Sequence, residues 1–173
     1  MRVIAGEFRG RRLQAPPGAG TRPTADRVRE AVFSMLGDLS GVRVLDLYAG
    51  SGALGIEALS RGAASAVFVE RDARAAATIH RNLDALGAEG DVRRQDALRF
   101  LASVEGRFDL VFCDPPYDLA PSPAAALAER LPAVISEDAR IVTESDKRRP
   151  LELPLRILRE RTYGDTRVVI HAG

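Results

Sequence analysis

The chain has 173 residues, 46% hydrophobic and 28% charged, with a net charge of +1, the size and balance of one globular domain with its own core. No apolar run approaches a membrane span, the N-terminus lacks the apolar segment of a secretory signal, and a single cysteine excludes an internal disulfide framework or a cysteine-built metal cluster. A cytoplasmic protein without a bound metal is expected.

The charge is uneven. Residues 1–30 carry seven arginines (Arg2, Arg9, Arg11, Arg12, Arg22, Arg27 and Arg29) against Glu7, Asp26 and Glu30, a local +4 that leaves −3 for the rest. A basic arm on a mildly acidic body points to a polyanionic partner. Lys147 is the only lysine, so part of this arginine content is compositional.

In the arm, Val3-Ile4 and Leu13 are expected to pair as short strands around a turn between Gly6 and Gly10. Pro16 to Gly20 reads as a loop. Thr24 is the expected N-cap of a helix carried by Val28, Val32, Met35 and Leu36 and stopped by Gly37. Residues 1–38 are thus an arm and helix appended to a core of residues 39–173.

The core alternates strands with helices. Strands are expected at 41–48, 64–70, 91–95, 108–113 and 139–143. Helices are expected from the Gly50 to Gly55 turn to about Arg61, from an Asp72 cap to about Leu86, from Asp96 to about Val104, and from Pro123 to about Val134. That alternation predicts a parallel sheet with helices on both faces. The tail, 155–162 and 167–171 around Tyr163-Gly-Asp165, predicts an antiparallel edge hairpin, so the sheet has seven strands in all.

Two strand ends carry the chemistry. Gly50-x-Gly52-x-x-Gly55 follows the first strand and opens a helix, with Glu70 at the tip of the second strand. That context suits a nucleoside cofactor, whose ribose hydroxyls an acidic tip can accept. Asp46, four residues before Gly50, would repel a pyrophosphate but suits a cationic ligand such as S-adenosylmethionine. Asp96 either accepts from an adenine amine or simply caps its helix. Tyr48 flanks the turn, where it either packs or touches the cofactor.

The second strand end is Asp114-Pro115-Pro116-Tyr117. Two prolines cannot continue a ladder and fix a stiff, extended exit. A carboxylate, preset carbonyls and an aromatic ring then share one tip, which can grip a planar base through an exocyclic amine. Cys113 reads as a small buried hydrophobe. His80 and His171 share no metal spacing and read as surface residues. Asp146 to Pro150 reads as a charged connection, with RNA contact as the other reading.

Asp46-Leu-Tyr-Ala-Gly-Ser-Gly-Ala-Leu-Gly55, Val69-Glu70, Gln95-Asp-Ala97 and Asp114-Pro-Pro-Tyr117 resemble, in order, the motifs of class I methyltransferases acting on exocyclic amines. The arm, with Arg2-x-Ile4-x-Gly6-x-x-Arg9-Gly-Arg-Arg-Leu13 and Arg22-Pro-Thr24-x-x-Arg27-x-Arg29-Glu30, is similar to that of the RsmD family, bacterial 16S ribosomal RNA guanine-N2 methyltransferases. The resemblance implies a Rossmann-like fold and S-adenosylmethionine as cofactor. Asp46, Tyr48, Gly50, Ser51, Gly52, Glu70, Arg71, Asp96 and Ala97 would hold the cofactor. Asp114, Pro115, Pro116 and Tyr117 would hold the target base. Arg2, Arg9, Arg11, Arg12, Arg22, Thr24 and Arg27 would hold RNA. It further implies a monomer acting on the small ribosomal subunit or its assembly intermediate. The tetrapeptide alone leaves an adenine-N6 methyltransferase open. A nicotinamide-dependent reductase would give Asp114 to Tyr117 no task.

Overall fold

The computed structural model describes residues 1–16, 23–116 and 122–173, with 23–25 described by backbone alone. A seven-stranded sheet is built from β1 (Arg43–Leu47), β2 (Ser65–Val69), β3 (Asp91–Arg93), β4 (Phe108–Cys113), β5 (Ile135–Asp146), β6 (Ile157–Tyr163) and β7 (Thr166–Ala172). Its order is β3-β2-β1-β4-β5-β7-β6, parallel except where β7 pairs antiparallel to β5 and β6. This is the mostly parallel arrangement expected from the sequence, with the tail hairpin at the edge. No helix among the described residues is long and apolar enough to cross a membrane.

Alternation along each strand divides two apolar layers. Val44 of β1, Phe68 of β2, Leu110 and Phe112 of β4 and Val142 of β5 pack under α1 (Pro23–Leu36), α2 (Ala53–Ser60) and α3 (Ala73–Leu86). Leu45, Leu47, Val111 and Cys113 face α4 (Ala97–Leu101) and α5 (Ala124–Arg130). Phe33 of α1 meets Phe112 at 5.7 Å between ring centroids. Asp109, the polar break in β4, is held by Arg43 of β1 at 3.0 Å. Gly55 is where α2 approaches the sheet: a Cβ there would lie 2.3 Å from the Phe68 ring.

Local chemistry sets the element ends. The Asp72 side chain accepts from the Arg74 and Ala75 amides and starts α3, which Gly87 stops in the left-handed region. Several boundaries differ from expectation; α4 ends at Leu101 and β3 at Arg93, each short of its expected end. Helix α1 begins at Pro23, so Thr24 lies inside the first turn rather than at the cap; proline suits the first helical position, where its missing N–H has no partner to lose. Helix α5 stops at Arg130 and tightens into a 3₁₀ turn, Leu131–Ala133, because Pro132 cannot continue it. Strand β5 runs from Ile135, with an irregular register against β4 absorbing the polar stretch at Glu137-Asp138, and β7 extends it to Asp146.

The arm is docked, not loose. Arg2 and Arg12 form an antiparallel bridge, and the Val3 amide donates to the Arg11 carbonyl at 3.0 Å. Glu57 of α2, fully buried, accepts from the Ile4 amide at 2.7 Å and the Ala5 amide at 3.0 Å, and Arg61 pairs with it at 2.8 Å. The Ser60 hydroxyl accepts from the Phe8 amide and donates to the Ala5 carbonyl. Gly6, at φ +81°, passes so close to α2 that a Cβ would overlap the Ser60 carbonyl. Val3 and Leu13 join the apolar layer of α1–α3.

Candidate functional site

Four carboxylates stand in a row at the C-terminal rim of the parallel strands. Asp46 of β1 is level with Phe68 of β2 and with Phe112 of β4, and Phe112 is level with Val142 of β5. Two residues further, on the same face, come Glu70, Asp114 and Glu144. Across β2-β1-β4-β5 the order is therefore Glu70, Asp46, Asp114, Glu144.

Asp46 is 2% exposed and its Oδ2 accepts from the Gly55 amide at 2.9 Å. Burial pushes its carboxyl up to about 7, the Gly55 amide opposes this, and the charge of Glu70 adds to it. Asp114 is half-buried, and its carboxyl is held well above the ordinary range by burial and by the negative charges of Glu144 and Asp46. A rim of this kind rejects a pyrophosphate and is relieved by a cation.

Glu70 bridges the turn to its own strand. Its two oxygens accept from the Gly50 and Asp72 amides, each at 2.8 Å. A carboxylate has about four acceptor sites, so both ribose hydroxyls can still be received. Gly50 and Gly52 adopt φ +57° and +78°, and Tyr48, at φ +63°, is the only non-glycine residue at positive φ among those described. A Cβ on Gly52 would lie 3.1 Å from Ile79. The turn is thus strained at Tyr48 and bare of side chains at Gly50 and Gly52, on the approach to the helix N-terminus.

Asp96 caps α4 with Oδ1, accepting from the Leu98 and Arg99 amides at 3.0 and 3.1 Å. Both readings of this residue are compatible, because the cap leaves acceptor capacity on Oδ2. Ala97 is buried beside it and Arg71 is exposed. Tyr48 is half-buried, and burial pushes its phenol up. Ser51 is buried in the turn, and its hydroxyl donates to the Met1 sulfur at 3.4 Å.

Pro115 is buried and Pro116 exposed at the β4 tip; Tyr117 lies outside the described residues. Behind the prolines, on the α5 face, is a cavity of about 260 Å³ lined by Pro115, Pro116, Ser145, Arg149 and Leu151 among others. Cys113 is buried, and burial together with Asp46 and Asp114 pushes its thiol up, so it packs as a hydrophobe. His171 overturns its surface reading. It is 2% exposed, on the sheet, with Nε2 3.2 Å from the Thr143 hydroxyl. His80 is exposed. Among the described residues no cluster of His, Cys, Asp and Glu could hold a metal.

Of the arm's cations, Arg2, Arg9, Arg11, Arg12 and Arg27 are exposed. Arg11 also donates to the Ala85 carbonyl on α3. Arg29 is 5% exposed and is spent internally on Asp26 and the Arg2 carbonyl. Arg22 lies outside the described residues, as does the side chain of Thr24. Sequence patterns do not point to Glu57, Asn82 or Glu144. Glu57 leaves one signal: an acid between Ile56 and Ala58 on an otherwise apolar helix.

The family model described as Conserved hypothetical protein 95 matches residues 1–172. The chain is 44% identical to Bacillus subtilis YlbH, over 99% of this chain and 98% of that protein. It is 38% identical to ribosomal RNA small subunit methyltransferase D of Haemophilus influenzae, over 95% of this chain and 89% of that one. The solved structure of yhhF from Escherichia coli superposes with a TM-score of 0.86 at 34% identity, covering 99% of this chain and 97% of the other.

Proposed function

The chain belongs to the Conserved hypothetical protein 95 family, the RsmD family of rRNA methyltransferases, and from that premise we propose that it methylates the exocyclic N2 amine of one guanine in 16S ribosomal RNA, using S-adenosylmethionine. The observation that carries this reading is the placement of Asp114, followed by Pro115, at the tip of β4, beside the buried carboxylate of Asp46 on β1.

The site fits the cofactor. Asp46 is a buried carboxylate that a ligand ammonium would relieve, and Glu70 retains acceptor sites for a ribose. Asp96 and Ala97 would hold the adenine, and Tyr48, Ser51 and Arg71 would complete the cofactor site. When bound, S-adenosylmethionine supplies a methyl group already activated by its sulfonium.

The remaining task for the protein is to aim a poor nucleophile. The amine lone pair of guanine is delocalised into the ring. Asp114 and the Pro115 carbonyl would accept hydrogen bonds from the two amine N–H groups, which favours a pyramidal nitrogen with its lone pair free. Pro116 and Tyr117 hold the plane of the base. Alignment of this kind supplies most of the rate. A carboxyl held above its ordinary range can also receive the proton that the nitrogen loses.

The base must leave its stack to reach a strand tip, which an RNA loop allows cheaply. Residues 1–38 serve as the RNA platform of the core, through Arg2, Arg9, Arg11, Arg12, Arg22, Thr24 and Arg27. Arg149, at the cavity behind Pro115 and Pro116, offers a further partner for a phosphate. The protein acts in the cytoplasm, as a monomer, on the small subunit or its assembly intermediate. The test is methyl transfer from labelled cofactor to small subunits, naked 16S RNA and duplex DNA in parallel. Label in the ribosomal RNA alone supports the reading, and label in DNA supports an adenine-N6 enzyme.

A further inference from the structure

The arm and the cofactor turn meet at one buried side chain that none of these roles uses. Asn82, on the inner face of α3, is 1% exposed. Its Nδ2 donates to the Ser51 carbonyl, inside the glycine turn, at 2.9 Å. The same nitrogen donates to the Gln14 carbonyl, at the end of the arm, at 3.1 Å, and Oδ1 accepts from the Gln14 amide at 2.8 Å. Only this orientation of the carboxamide works, because a flip would set its NH₂ against the Gln14 N–H. A second link joins the same two segments, from the Ser51 hydroxyl to the Met1 sulfur.

The position of the Ser51 carbonyl matters for the turn. It lies between Gly50 at φ +57° and Gly52 at φ +78°, two residues whose backbone is free to swing. Asn82 fixes the peptide plane between Ser51 and Gly52. Without it a buried carbonyl is left without its partner, a costly state that reorientation of the turn would relieve.

We infer that Asn82 is a positioning residue that couples the seating of the basic arm to the shape of the cofactor turn. Filling the cofactor site then steadies the arm, and by reciprocity the docked arm tightens cofactor binding. The inference rests on the reading of the turn as the S-adenosylmethionine site, and it does not depend on what the arm binds.

Backbone amide exchange of the whole protein, with and without S-adenosylhomocysteine, reads the coupling, and calorimetry reads the affinity. In the wild type the ligand slows exchange across residues 3–14. With Asn82→Ala the arm no longer responds, and affinity falls by about tenfold. Gln14→Pro removes the Gln14 amide donor and leaves the bonds from Asn82 to the Ser51 and Gln14 carbonyls. It should reduce the ligand's protection of the arm with a smaller loss of affinity, and it keeps the test sharp if Asn82→Ala does not fold. A wild-type arm indifferent to the ligand overturns the coupling. So does an Asn82→Ala protein that binds normally and still protects its arm. A wild type that does not bind the ligand contradicts the cofactor reading and the coupling together. Intact coupling without any methylation of ribosomal RNA contradicts the substrate alone.

Discussion

Asp46 and Asp114 stand at the tips of neighbouring parallel strands, on one face of the sheet, and the charge of Asp46 helps hold the Asp114 carboxyl above its ordinary range. In the proposed reaction Asp46 would meet the methyl donor and Asp114 the amine that accepts the methyl group. Burial and the negative charges around them raise both carboxyls, and a cation beside the pair would lower them again.

Cofactor binding should therefore depend on pH. With its carboxyl pushed up to about 7, Asp46 must shed a proton to meet an ammonium. Affinity for S-adenosylhomocysteine should rise with pH through about 7, with proton release visible by calorimetry in buffers of different ionisation enthalpy. Stability of the free protein has the opposite sign. Between roughly 4 and the folded value the native state holds a proton that the unfolded chain does not, so stability falls as pH rises through that window. Asp46→Asn should flatten both trends.

Asp114→Ala should lower methyl transfer by about 100-fold or more, while calorimetric affinity for S-adenosylhomocysteine stays near wild type or improves, since a like charge is removed from beside Asp46. Retained turnover would remove Asp114 from the chemistry.

Two glycines of the same motif should fail differently. Gly52→Val forces a side chain onto a left-handed residue facing Ile79 and should abolish cofactor binding in a folded protein. Gly55→Ala drives a methyl into the Phe68 ring and should cost about 1–3 kcal/mol of stability, read by denaturant unfolding.

Arg9, Arg11 and Arg12 changed together to alanine should weaken RNA binding and flatten its salt dependence by roughly 0.7 in slope for each phosphate no longer neutralised. Arg149→Ala should lower that slope by about 0.7, with cofactor affinity unchanged. Salt-titrated binding to a 16S fragment checks both, and unchanged slopes would move the RNA surface elsewhere.

Much of this architecture is written locally. Strand β4 has the bounds its apolar run implies, and α3 runs from the Asp72 cap to the stop at Gly87. The glycine turn and Glu70 are readable because strand, turn and helix lie next to one another in the chain. What local patterns do not encode is docking between distant segments. Glu57 and Asn82 are polar residues inside helices, and their partners, the Ile4, Ala5 and Gln14 amides, become neighbours only when the arm folds onto α2 and α3. His171 reads as a chain-end surface residue until β7 inserts between β5 and β6. Glu144 joins the rim only through the register of β5 against β4.

The central claim is that the strand-tip carboxylate of Asp114 receives a guanine amine. Nucleoside mass spectrometry of small-subunit RNA, methylated in vitro by the purified protein with isotope-labelled S-adenosylmethionine, tests it most directly. One labelled N2-methylguanosine per subunit, absent with Asp114→Ala, is the predicted result; label in N6-methyladenosine, or none in the RNA, would contradict it.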